Sequence, residues 1–288
     1  MNNRKALVLG GGGLTGGGWL IGMLCGLADA GVDLCESDLI VGTSSGALVG
    51  AQVATGCDLE VLYDQTVFAA HPEPALELSS TALATLGGLL GGAQNPQLCR
   101  ARVGHAAMEA KSASSHLREF IGARLPDSEW PERRLRLTAV EALSGEFAVF
   151  DSESGLSLLD AVVASCALPF VYPPARALGR RWIDGFTRSP ANADVAEAYG
   201  RIVVLAPMPE GFAANSRVVD QTAELASRTG ALIATVVADS VPVRPLDPAL
   251  LPEAAVAGRA QAAAVVDEIA VVWNVPSKAS APAGPAVR

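Results

Sequence analysis

The sequence predicts an α/β protein, a single three-layer α/β/α domain built on a mainly parallel central sheet. Two observations carry that expectation. Short apolar runs at 5–9 and 39–41 each end in a glycine-containing turn and pass into small and apolar residues at helical spacing. This strand–turn–helix unit, used twice in succession, requires a parallel sheet with helices on its faces. The 288 residues are also half apolar, which is ample for one large buried core.

In chain order, Lys5-Ala6-Leu7-Val8-Leu9 reads as a strand buried on both faces. A glycine run, 10–18, broken only by Leu14 and Thr15, follows it. Residues 19–30 have the spacing of a helix that stops at Gly31. Leu39-Ile40-Val41 is the second strand, and it runs into Gly42-Thr43-Ser44-Ser45-Gly46. That is G-x-S-x-G between a strand and a helix, the pattern of a nucleophile elbow. The apex serine takes a strained conformation so that its hydroxyl projects from the sheet edge. Gly42 and Gly46 are needed because side chains two residues either side would collide across so tight a turn. The next helix aims its N-terminal amides at the place where an oxyanion would form.

The glycine run admits more than one reading. Gly11-Gly12-Gly13-Leu14-Thr15-Gly16 satisfies the dinucleotide pattern G-x-G-x-x-G. That site also wants an acidic residue at the end of the second strand. Here the strand ends in Val41-Gly42, and Asp38 lies at its other end. Bare backbone at a strand end also presents amide donors to an anion. The parallel sheet would set those donors beside Ser44 as an oxyanion hole. A purely structural loop is the third reading, but it leaves the entropic cost of so many glycines unexplained.

Residues 58–70 read as a helix capped by Asp58 and broken by His71-Pro72-Glu73-Pro74. The Leu- and Ala-rich stretch 75–92 is either a core helix, the reading preferred here, or an apolar flap. Helices follow at 95–111 and 114–124, so that 71–125 forms a helical, lid-like insertion. Segments 135–142 and 146–150 flank Leu143-Ser144-Gly145 as a hairpin. Ser157-Leu158-Leu159-Asp160 resembles a capping box opening a helix to Cys166. Strands are expected at 181–183 and 201–206, and at 231–238 near the end. The first of these stops at Asp184-Gly185. The last helix is expected at 253–273, and the Ala/Pro/Ser-rich tail 276–288 is expected to be disordered.

Composition excludes several classes. A net charge of −9 makes nucleic acid an improbable partner. The five cysteines form no C-x-x-C pair, which points away from a disulfide framework or zinc site and toward a reducing compartment. No run approaches the ~18 apolar residues of a membrane span. A cytoplasmic protein is expected.

A Ser–Asp–His triad in α/β-hydrolase order needs a histidine late in the chain. The three histidines are His71, His105 and His116, all well before Asp184. Either Ser44 is not a nucleophile or its base is a carboxylate. At this point four blocks resemble the patatin-like phospholipases, over residues 6–273. They are the glycine loop 10–16, the elbow 42–46, the run Ala164-Ser165-Cys166-Ala167-Leu168-Pro169 with its trailing Pro173-Pro174, and Asp184-Gly185.

The resemblance implies one domain over 1–275 and a Ser44–Asp184 dyad without histidine. It implies oxyanion donors at Gly11, Gly12, Gly13 and Ser45, with neither metal nor cofactor. It implies a lipid or other ester as substrate, with transient contact at a membrane surface. Short-chain esters or thioesters are the alternative substrates, and a non-catalytic acyl-binding protein is the alternative to an enzyme. Two positions depart from the family pattern. Thr15 stands where many members carry Arg or Lys, and Phe186 stands where a small residue is usual.

Overall fold

The computed structural model describes residues 3–92, 95–112, 114–240 and 244–274. The expected tail, 276–288, lies outside them. An eight-stranded sheet forms the centre. Its strands are β1 (Lys5–Leu9), β2 (Leu39–Gly42), β3 (Leu135–Glu141), β4 (Phe147–Phe150), β5 (Ala175–Ala177), β6 (Arg180–Asp184), β7 (Arg201–Ala206) and β8 (Leu232–Val237). The order is β5-β6-β3-β2-β1-β7-β8, with β4 paired to β3. The run β3-β2-β1-β7-β8 is parallel. The edge formed by β4, β5 and β6 is antiparallel.

The helices are α1 (Gly13–Asp29), α2 (Ser45–Ala54), α3 (Leu59–Phe68), α4 (Ser80–Leu90), α5 (Pro96–Glu109), α6 (Leu117–Gly122), α7 (Leu158–Ser165), α8 (Val218–Thr229) and α9 (Leu251–Trp273). Alternation along β1 sorts them into layers. Leu7 and Leu9 join a core with α1, α2, α7 and α9. Ala6 and Val8 face the other way, into a core that α8 closes with Val218 and Leu225. A smaller core sets Leu86 and Leu90 of α4 and Val103 of α5 against Val140 and Ile183 of the sheet. The three-layer architecture read from the sequence is therefore present.

Local capping explains several boundaries. Asp58 and Ser157 accept the backbone amides of Val61 and Asp160 and so open α3 and α7. Helix α1 begins six residues earlier than its apolar spacing suggests, inside the glycine run. Glycines of that run pack closely on other segments: a Cβ on Gly16 would lie 3.0 Å from Pro207 Cβ, and one on Gly18 2.9 Å from the Leu251 carbonyl oxygen of α9. The same holds further along the helix. A Cβ on Gly22 would lie 1.9 Å from the Ala255 carbonyl oxygen of α9, and one on Gly26 2.6 Å from the Arg259 oxygen. One side of α1 is thus bare backbone against α9. The stretch 75–92 is helical only over α4, which turns Ala82, Leu86 and Leu90 inward. Helix α8 and the short strand β5, which pairs with β6, were not foreseen. Strand β5 is only three residues long, too short to show a period, whereas α8 is clearly amphipathic, with Val218, Thr222 and Leu225 buried on one face, a helical spacing the sequence does carry.

Candidate active site

Parallel strands bring their C-terminal ends to one sheet edge, and the loops after β1 and β2 meet there. Leu9 pairs with Gly42, which sets the glycine loop beside the elbow. Ser44 has φ 55° and ψ −124°, a strained conformation for a residue with a side chain. Its glycine neighbours serve close approach, across the turn as expected and also against β1. A Cβ on Gly42 would lie 2.7 Å from the Gly46 carbonyl oxygen across the turn and 2.6 Å from Ala47 Cα, while one on Gly46 would lie 2.2 Å from the Leu9 carbonyl oxygen rather than against Gly42. The elbow needs them because it nests against β1 and against its own helix.

Asp184 ends β6 on the antiparallel edge, where it pairs with Ala139 of β3. The Ser44 hydroxyl donates to Asp184 Oδ2 at 2.7 Å. Oδ1 accepts the Phe186 amide at 2.8 Å. Asp184 is 0% exposed. Burial pushes its carboxyl up from 3.8 to about 7, although the Phe186 and Ser44 hydrogen bonds oppose the shift.

Residues that sequence reasoning passed over hold this pair in place. The Ser44 amide donates to Ser165 Oγ at 3.0 Å, and the Cys166 thiol donates to the Ser44 carbonyl at 3.0 Å. The end of α7 therefore fixes both polar backbone groups of the strained residue. Ser165 and Cys166 stood in one of the four blocks, but nothing in the sequence gave them this task. Behind the pair lies a buried network. Asn192 donates to Thr43 Oγ1, Thr138 Oγ1 and the Gly185 carbonyl, and Thr43 and Thr138 are 2.8 Å apart. It ties β2, β3 and the turn after Asp184 together. A lone Asn far along the chain carries no sequence signal for this.

The expected oxyanion donors separate into two groups. The Gly11 amide donates to the Pro190 carbonyl at 2.8 Å, so it is not available to an oxyanion. Gly11 serves close packing instead, since a Cβ there would meet Ser44 Cβ at 2.9 Å and Phe186 Cδ2 at 2.8 Å. Gly12, Gly13 and Ser45 line the cavity described next. Their amides have no hydrogen-bond partner among the described residues. The Ser45 hydroxyl is buried and also unpartnered.

Ser44 and Asp184 open into a cavity of about 1160 Å³. Its wall is mainly apolar, with Leu48 and Leu62 from the core side and Leu76, Leu83 and Phe120 from the helical segment. Phe186 lines it too and packs edge-on against Phe212, with ring centroids 5.9 Å apart. His71 lies on this wall with Nε2 2.8 Å from the Thr66 carbonyl oxygen. His116 is exposed and pairs with Glu119, and His105 is exposed on α5. All five cysteines are free thiols. Among the described residues no group of three or more His, Cys, Asp and Glu side chains could hold a metal ion, and no helix is long and apolar enough to cross a membrane.

Fold and site define an α/β protein whose strained serine is hydrogen-bonded to a buried carboxylate at the parallel sheet's edge. The family model described as Patatin-like phospholipase matches residues 7–197, and the chain belongs to that family. Membership implies a lipid acyl hydrolase. No curated protein matches the sequence. Among solved structures the chain is similar to VipD from Legionella pneumophila, at 12% identity and a TM-score of 0.47, over 92% of this chain and 67% of that one. It is also similar to the type III effector protein ExoU, at 16% identity and a TM-score of 0.40, over 93% of this chain and 53% of that one. The chain spans about half the length of the second.

Proposed function

We propose that the protein hydrolyses carboxylic esters of lipids through a Ser44–Asp184 dyad. The observation that carries this reading is the 2.7 Å hydrogen bond from Ser44 to Asp184 on the wall of a large apolar cavity. Asp184, as carboxylate, takes the hydroxyl proton while Ser44 Oγ attacks the ester carbonyl. The amides of Gly12, Gly13 and Ser45 receive the negative charge on the carbonyl oxygen, and the N-terminus of α2 adds its dipole. Asp184 passes the proton to the departing alkoxide. Water, deprotonated by Asp184, then cleaves the acyl-enzyme and restores Ser44. These steps use protein groups and water alone.

A pKa near 7 suits a carboxylate that must accept a proton and return it at neutral pH. The cavity exceeds the roughly 300–1,000 Å³ of ordinary small-ligand pockets, which favours a long acyl chain over a short one. Segment 71–125 is read as a cap within one domain over 1–275, because its leucines and Phe120 form the outer wall.

The test compares micellar long-chain esters with soluble short-chain esters, alongside a fluorophosphonate probe that labels only an activated serine. Labelling with long-chain preference is expected. Labelling with short-chain preference would indicate a soluble-ester esterase, and absence of labelling would indicate an acyl-binding protein.

A further inference from the structure

Charge around the cavity is one-sided. Two arginines line it, and each is bound to a carboxylate. Arg124 pairs with Glu73 and lies over the Phe120 ring, 3.7 Å from its centroid. Arg244 pairs with Asp247 at 2.7 Å. Two glutamates also line it, Glu77 and Glu210, both exposed. Neither has a cationic partner among the described residues.

Thr15 sharpens the asymmetry. A cation at that position would add positive charge to the glycine loop. Thr15 is instead fully buried, with its amide and its hydroxyl both directed at the Pro245 carbonyl. Among the described residues the wall therefore holds two unpaired anions and no unpaired guanidinium. The chain's net charge of −9 gives the surrounding field the same sign.

We infer that this cavity selects acyl esters whose polar end is uncharged or terminates in a cation, and turns away those with an anionic head. The inference rests on the hydrolase reading and adds a substrate class to it. The acyl chain lies along the apolar wall with its ester at Ser44. The head group then emerges past Glu77 and Glu210. A trimethylammonium group gains Coulomb attraction there, a glycerol is neutral, and a phosphate monoester meets like charge with no free cation to receive it.

The test measures hydrolysis of three single-chain lipids with one acyl chain: a monoacylglycerol, a lysophosphatidylcholine and a lysophosphatidic acid. All are presented in the same neutral detergent micelles. The anionic lipid should be cleaved about tenfold more slowly than the other two, with the gap narrowing as salt is raised. In the double variant Glu77→Lys/Glu210→Lys, checked for a cooperative melt, the anionic-to-choline rate ratio should rise by about tenfold. Wild-type preference for the anionic lipid, or a ratio unmoved by the charge reversal, would overturn the inference.

If no ester is cleaved, the hydrolase reading fails but the selectivity can still be measured on Ser44→Ala protein. Octyltrimethylammonium should then bind more tightly than octyl phosphate. Equal or reversed affinities would refute the charge selectivity.

Discussion

The Asp184 carboxylate reaches Ser44 directly: Oδ2 accepts the Ser44 hydroxyl at 2.7 Å while Oδ1 is held by the Phe186 amide. One oxygen is fixed by the backbone and the other faces the Ser44 hydroxyl. This geometry, inside a fully buried environment, sets the first prediction.

Burial raises the Asp184 carboxyl to about 7, so below that pH the proposed base is already protonated. Ester hydrolysis should rise with pH through about 7 and level off above it, read as kcat/KM from pH 5 to 9. A profile flat down to pH 5 would show that another group accepts the proton.

The same shift has a stability counterpart of opposite sense to activity. The folded-state pKa lies above the unfolded one, so the folded protein binds the proton more tightly. This contribution is complete below about pH 4 and disappears as pH rises through about 7. Asp184→Asn should therefore raise the melting temperature more at pH 8 than at pH 5, while activity falls by about 10²–10⁴-fold. Thermal melts at the two pH values check this, and an equal effect at both would contradict it.

Ser44→Ala and Ser45→Ala separate the two elbow hydroxyls. Loss of the nucleophile should remove about 10³-fold or more of the activity. Ser45→Ala keeps the backbone amide and deletes a buried hydroxyl that has no partner, so activity and stability should change little. Parallel ester assays and melts decide between them.

Gly22 tests how the two long helices meet. An alanine there would place Cβ 1.9 Å from the Ala255 carbonyl oxygen and force α1 from α9. Gly22→Ala should cost about 1–3 kcal/mol in denaturant unfolding. Unchanged stability would show that α9 shifts freely.

Much of this architecture was legible because it follows from short-range pattern. The strand β1 and the elbow strand announce themselves as apolar runs ended by glycine, and the caps at Asp58 and Ser157 are local chemistry. What stayed hidden depends on partners distant in sequence. Helix α1 starts at Gly13, inside the glycine run, and its Gly18, Gly22 and Gly26 set bare backbone against α9, more than 200 residues later. The Gly11 amide looked available until Pro190 was found accepting it. Ser165, Cys166 and Asn192 support the serine from separate segments, and no spacing rule links them.

The central claim is that Ser44 is activated by Asp184 and by no imidazole. Its most direct test is intact-protein and peptide mass spectrometry after a timed fluorophosphonate reaction. The proteins compared are wild type, Asp184→Asn and the triple variant His71→Gln/His105→Gln/His116→Gln, each first shown to melt cooperatively. The account predicts one adduct on Ser44 in wild type, the same adduct at a similar rate in the triple variant, and labelling slowed by about a hundredfold or more in Asp184→Asn. An adduct on another residue, or rapid labelling of Asp184→Asn with a silent triple variant, would contradict it.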